Sequence, residues 1–453
     1  MTDRPEQHHR PASFYGSPPE AAKEAPAERL LYLACLHRGT GVERPDFLAV
    51  VDADRDSDRY GEIVHETPMP HVGDELHHFG WNRCSSACHG PDRSHLIVPG
   101  FRSSRIHVLN VADDPRSPRI EKVIEADELA KKTGYSRPHT VHCMPGDNVV
   151  VSMLGDREGD GAGGFACVDA RNFDVKGRWE DGGPTPDLNY DFWYQPRKNL
   201  LVSSEFGEPN AYEPGFEIED VAAGRYGRRL HFWDLAQRRL VQSLDLGEAG
   251  LLPFEVRWLH DPDSEQGFVG AALASNVLRF HRTDGAFTAE PVIEVDNEEL
   301  DGWPLPGGVP GLITDVVLSM DDQFLYFSNW LHGDLRQYDV SDPEHPRLTG
   351  RLWLGGLLGK PNDAGRDLSG GPQMIQVSLD GRRLYVTNSL YSSWDNQFYP
   401  GLRSWLLKVD CDPAGGMAVD RDFFIDFHAR PDGPARAHEV RLGGGDCTTE
   451  IFQ

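Results

Sequence analysis

The chain has 453 residues, of which 39% are hydrophobic and 10% aromatic, enough apolar material for a sizeable core. Its 45 Lys and Arg against 72 Asp and Glu leave a formal charge of −27, so no basic surplus exists to bind phosphates or anionic lipid, which argues against nucleic-acid and membrane-surface partners. No apolar run reaches the length of a membrane span, and the first residues lack the apolar core of a secretory leader, so the expected location is the cytoplasm.

Residues 1–28 are polar and proline-rich and are expected to form a loosely ordered tail, leaving 29–453 as one domain. Apolar strands follow at 30–54 (LLYLACL, DFLAVVDAD). From there the chain repeats itself, and 47 glycines and 33 prolines supply the turns. HFGWNRCSSACHGPDRSHLIVP (78–99), HTVHCMPGDNVVVS (139–152), DFWYQPRKNLLVSS (191–204) and EVRWLHDPDSEQGFVGAALA (255–274) each read as two strands around a turn. The clearest copies are TDVVLSMDDQFLYFSN (314–329) and QMIQVSLDGRRLYVTN (373–388), and a truncated one, HEVRL, begins at His438. Between copies lies a second strand pair. It appears as RIHVLNVADDPRSPRIEKVI (105–124) and LRQYDVSDPEHPRLTGRLWL (335–354), with AGGFACVDARNFDVKGRWE (162–180) and RRLHFWDLAQRRLVQSLDL (228–246) in the same slot.

The unit is therefore about four strands, recurring roughly every 50–70 residues and about seven times. That pattern predicts an all-β, seven-bladed β-propeller. HEVRL is expected to complete the last blade together with the strands of residues 30–54. The glycine-rich run GDREGDGAGGF (155–165) precedes no helical pattern, so it is expected to be a blade-connecting loop and not a phosphate cradle.

In a propeller the innermost strand of each blade lines the channel. The residues at its start are His77 and His78, His139, Asp191, Glu255, Asp315, Gln373 and His438. All are polar, and imidazole suits copper, zinc, iron and nickel. Histidines converging from separate blades would make a metal site. Strand alternation is expected to turn His77 and His78 to opposite faces unless a bulge intervenes, and to split His139 from His142 unless the strand starts late. The acids Asp191, Glu255 and Asp315 are candidates either for groups that orient the imidazoles and move protons, or for a hydrogen-bond ring that ties blades together. The seven cysteines read as reduced thiols. Cys84 and Cys88, with His89 beside them, fall short of a zinc set without further partners. Cys143 and Cys447 lie close in sequence to His142 and His438, where a thiolate would suit soft copper or selenium; singly, each reads as an inert buried thiol.

Long stretches of this chain closely resemble the selenium-binding protein family, whose members act as methanethiol oxidases: DELHHFGWNRCSS (74–86), GDREGDGAGGF, YDFWYQPRKN (190–199), residues 311–343, residues 370–400 and HEVRLGGGDC (438–447). The resemblance implies a seven-bladed propeller. It implies oxidation of methanethiol with O2 and water to formaldehyde, hydrogen sulfide and hydrogen peroxide, with copper as the metal. It also carries the family's histidine motifs onto His77, His78, His139, His142 and His438. Two departures stand out. A cysteine proposed to bind selenium in animal members is Gly61 here, and the family's Cys-Ser-Ser-Cys becomes Cys84-Ser-Ser-Ala-Cys88. The main rival is a copper or selenium carrier without enzymatic activity. A calcium-dependent lactonase-like propeller is disfavoured by the clustered histidines. No reading of the sequence fixes the oligomeric state.

Overall fold

The Ser-x-Asp repeat is built the same way twice. Ser319 Oγ donates to Asp321 Oδ1 (2.6 Å) and accepts from Phe324 N (2.9 Å). In the later copy Ser378 Oγ donates to Asp380 Oδ1 (2.6 Å) and accepts from Arg383 N (3.1 Å). The next residue must take a left-handed conformation to return the chain, and Asp322 (φ 57°) and Gly381 (φ 69°) both do. Asp and Gly are residues that tolerate it, which is why the motif alternates between them.

The computed structural model describes residues 15–84, 88, 93–304 and 307–453. It contains seven four-stranded antiparallel sheets arranged as the blades of a propeller. The innermost strands are Gly80–Trp81, Tyr135–Met144, Phe192–Gln195, Pro253–Trp258, Ile313–Leu318, Ile375–Val377 and Arg436–Leu442 for blades 1 to 7. Blade 7 closes the ring as expected: Arg436–Leu442 pairs antiparallel with Leu30–Leu36, with Leu31 opposite Leu442 and Leu36 opposite Arg436. Pro45–Asp52 and Ile63–Val72 complete that sheet. Inner strands such as Pro253–Trp258, Ile313–Leu318 and Arg436–Leu442 are buried along their whole length, whereas an outer strand such as Arg239–Asp245 alternates exposed and half-buried residues. Burial on both faces explains why the inner strands read as continuous apolar runs interrupted only by channel residues.

Two expectations need adjustment. The glycine-rich run joins Asn148–Asp156 to Gly164–Asp169, two strands of the same blade, so it connects strands and not blades. In the N-terminal segment, Tyr15 is buried. Pro18–Glu24 is a helix capped by Ser17, Ala21 is fully buried, and Glu28 accepts bonds from Arg383 and Tyr385. Residues 1–14 lie outside the described residues. Among the described residues, no helix is long and apolar enough to cross a membrane.

Candidate metal centre

His77, His78 and His139 meet at the channel mouth, with one ligand nitrogen of each within 4.8 Å of the others. The two adjacent histidines reach the same site because the chain bulges. Leu76 bridges to Gly100 and Gly80 pairs with Ile97, so four steps along this strand (80 − 76) face three on its partner (100 − 97). The extra residue breaks the alternation that would have parted the pair. Glu75, in a left-handed conformation (φ 54°), turns the chain into the bulge.

His438 arrives through ring closure. Its ring stacks on that of His77, with centroids 3.6 Å apart and planes 13° apart. It adjoins the trio without belonging to the group whose ligand atoms converge. His142 is not brought to the mouth. It lies further along the same inner strand as His139, against Phe192 (5.2 Å) and Trp193 (4.9 Å). The strand begins at Tyr135, well before His139, so the late start that would have united the two histidines does not occur.

The hydrogen bonds fix which nitrogens are free. Asp191 is ionised and can only accept, so Thr140 Oγ1 donates to Asp191 Oδ1 (2.8 Å). Thr140 Oγ1 then accepts from His139 Nδ1 (3.1 Å), which leaves the His139 Nε2 lone pair without a partner. In the same way His438 Nδ1 donates to the Ser389 carbonyl (2.7 Å), and its Nε2 is unpartnered. His77 Nδ1 is a third buried nitrogen without a partner. Unpartnered polar atoms in a dry interior are costly unless something binds them. Burial pushes His139 down to about 3 and His438 down to about 4, and takes His77 and His78 well below the usual range with help from their neighbouring imidazoles. Neutral imidazoles with the second nitrogen held by an oxygen are the form that ligates metals. The donor set fits a copper or zinc ion.

The acids divide by environment. Asp191 accepts from the next blade's Val256 N (2.9 Å) and from Arg257 as well as from Thr140. Burial opposes its charge, but Arg257 and the amide outweigh that and hold it below the usual carboxylate range. Asp315 accepts from Ile375 N of blade 6 (2.8 Å). Both therefore tie neighbouring blades, and Asp191 in addition orients His139. Glu255 has no such bond to Oε1, which lies 3.8 Å from His78 Nε2. Burial, then the nearby Asp191 charge, raises it well above the usual range.

Several participants went unseen in the sequence. Glu439 Oε1 lies 3.5 Å from His78 Nδ1, and burial pushes this carboxyl up to about 8. Glu255-Val256-Arg257 and Glu439-Val440-Arg441 are the same tripeptide on two inner strands, and in each the Arg pairs with its own Glu. Matching those tripeptides would have placed Glu439, and not His438, opposite Glu255. Thr140 carried no signal. The aromatic walls did not either: Phe101 lies 5.2 Å from His77, Tyr190 4.3 Å from His139 and Tyr391 6.5 Å from His77. Beyond Tyr391, Ser392 lines a cleft of about 530 Å³ with Arg38, Arg102 and Glu213. Glu75 anchors that floor by accepting from Ser392 N (2.7 Å) and Arg102 Nε (2.6 Å).

Comparison with known proteins agrees with this architecture. The X-ray structure of a hypothetical selenium-binding protein from Sulfolobus tokodaii superposes with a TM-score of 0.92 at 47% identity, covering 98% of this chain and all of that one. A curated relative named methanethiol oxidase from Xenopus laevis is 48% identical over 464 residues, spanning 97% of this chain and 98% of that protein. Selenium-binding protein 1 from Arabidopsis thaliana is 47% identical over 469 residues, spanning 97% of this chain and 95% of that protein. Residues 7–453 match the profile of the family described as 56kDa selenium binding protein (SBP56), and the chain belongs to that family.

Proposed function

We propose that the chain is a methanethiol oxidase that uses copper held by His77, His78 and His139, converting methanethiol, O2 and water to formaldehyde, hydrogen sulfide and hydrogen peroxide. The observation that carries this reading is the convergence of three buried imidazoles, with nitrogens of His77 and His139 left without partners. Copper bound there supplies a soft site for sulfur and a redox couple for O2. The relatives named methanethiol oxidase, matching over nearly the full chain, support the choice of substrate.

The chain's own residues do the rest. Thr140 and Asp191 hold the proton on His139 Nδ1 and so keep Nε2 directed at the centre. Phe101, Tyr190 and Tyr391 give the site walls that suit a small apolar thiol and exclude water. Glu255 and Glu439, both biased toward the protonated form and flanking His78, are placed to give and take the proton of the thiol. Asp191, which acts on His139 through Thr140, is assigned a positioning role, and Asp315 a structural one between blades.

The test uses untagged protein loaded with copper, with methanethiol and O2 followed together. Consumption of both in equal amounts, with formaldehyde formed, supports the reading. Stable copper binding without consumption of either would identify a carrier and overturn it.

A further inference from the structure

The centre above uses none of the cysteines, yet three of them meet elsewhere in the buried core. Cys84 follows the short inner strand of blade 1 and Cys88 comes four residues later. Cys143 sits near the far end of Tyr135–Met144, four residues past His139 and hence about 13 Å further along the strand. All three are buried, and their sulfur atoms lie within 4.8 Å of one another. We propose that Cys84, Cys88 and Cys143 form a second metal site, separate from the imidazole centre, that holds copper(I) through three thiolates.

The spacing fits. Metal–sulfur bonds of about 2.3 Å in a trigonal arrangement put the sulfurs about 4 Å apart, so little movement is needed. The three thiols are free, and their other contacts are weak: Cys84 Sγ is 3.8 Å from the Ile451 carbonyl, and Cys88 Sγ is 3.8 Å from the Tyr194 hydroxyl. That hydroxyl donates to the Cys143 carbonyl (2.7 Å), which leaves the sulfurs facing one another. The Cys143 and Cys88 thiols, and after them Arg93, anchored by Glu450, hold Cys84 below the usual thiol range, while burial raises Cys88 and Cys143, so binding a metal at all three must displace their protons.

The ligand set favours copper(I) over zinc. Closed zinc sites take four ligands, whereas among the described residues this group offers three sulfurs and no fourth donor. Soft thiolates select copper(I). Buried Ile451, in the C-terminal segment that packs over Cys84, shields the cluster from water. His89, once the third member of a candidate group with Cys84 and Cys88, lies outside the described residues. The structure supplies Cys143 from a different blade.

The experiment titrates reduced, untagged protein with copper(I) under anaerobic conditions. It reads the ultraviolet thiolate-to-copper charge-transfer band and the copper X-ray absorption fine structure. A shell of three sulfurs in the wild-type protein is expected, with the band lost in Cys143→Ser and in Cys84→Ser and kept in His139→Ala. A wild-type shell of nitrogen and oxygen alone, or a band that survives both cysteine substitutions, overturns the proposal. The wild-type spectrum decides the matter even if a cysteine variant fails to fold. Because His139→Ala lacks a ligand of the imidazole centre, failure of one site is distinguishable from failure of the other.

Discussion

Thr140→Val is the most informative single perturbation of the histidine centre. It removes one hydroxyl from a buried relay and keeps the β-branched shape that suits the inner strand. Two contacts vanish, the 2.8 Å bond to Asp191 Oδ1 and the 3.1 Å bond from His139 Nδ1. Asp191 retains Val256 N and Arg257, so its charge stays compensated. His139 loses the group that, among the described residues, fixes its tautomer. Removing a partner of this kind from a metal-ligating histidine costs about 10- to 100-fold in affinity or activity, equivalent to about 1.4–2.7 kcal/mol. A buried donor left unmade adds about 1–3 kcal/mol to the loss of fold stability. The assay is copper competition against a chelator of known affinity, with thermal melting of the metal-free protein alongside. Thr140→Ser, which keeps the hydroxyl, is expected to restore copper affinity. Wild-type affinity in Thr140→Val would refute the tautomer argument, because a merely structural role for Thr140 predicts lower stability with affinity unchanged.

Other outcomes follow from the same structure. His139→Ala should lose copper from the imidazole centre, and with it methanethiol turnover, while His345→Ala should be silent in both assays, since the His345 side chain is 79% exposed and its ring contacts the neighbouring Asp342. Burial pushes Asp395 up to about 6 despite its 3.2 Å contact with Arg436. A raised carboxyl contributes stability below the unfolded pKa and loses it as pH climbs through the folded one. Stability measured by urea unfolding should therefore shift toward Asp395→Asn, relative to wild type, by about 2 kcal/mol between pH 4 and 6.5; a constant difference across that range would show that the carboxyl is already ionised. Ser319→Ala should lower stability by about 1 kcal/mol in the same assay, because it removes both bonds of the hairpin turn.

The propeller was legible because its turns are chemical and local. A Ser-x-Asp followed by Asp or Gly states its own hydrogen bonds, so its two copies could be matched by eye, and HEVRL announced ring closure. The histidines were legible as residue types at matching positions. Their geometry was not. Pairing of His77 with His78 depends on one extra residue between Leu76 and Gly80, just ahead of a strand only two residues long, which no periodicity reveals. The family resemblance groups His142 with His139, but His142 lies further along the same strand, against Phe192 and Trp193. Glu439 was hidden by a one-residue misalignment that put His438 in its place. Thr140 and Cys143 act across blades on partners about 50 to 60 residues away in sequence, and nothing local marks such contacts.

The central claim is that a metal sits among His77, His78 and His139. Crystals of protein loaded with copper(II) in air, measured at the copper absorption edge, locate the ion by anomalous scattering. A peak within bonding distance of nitrogens from those three histidines is the expected result. The absence of any peak there, with copper found only at the cysteines or on the surface, would contradict the account.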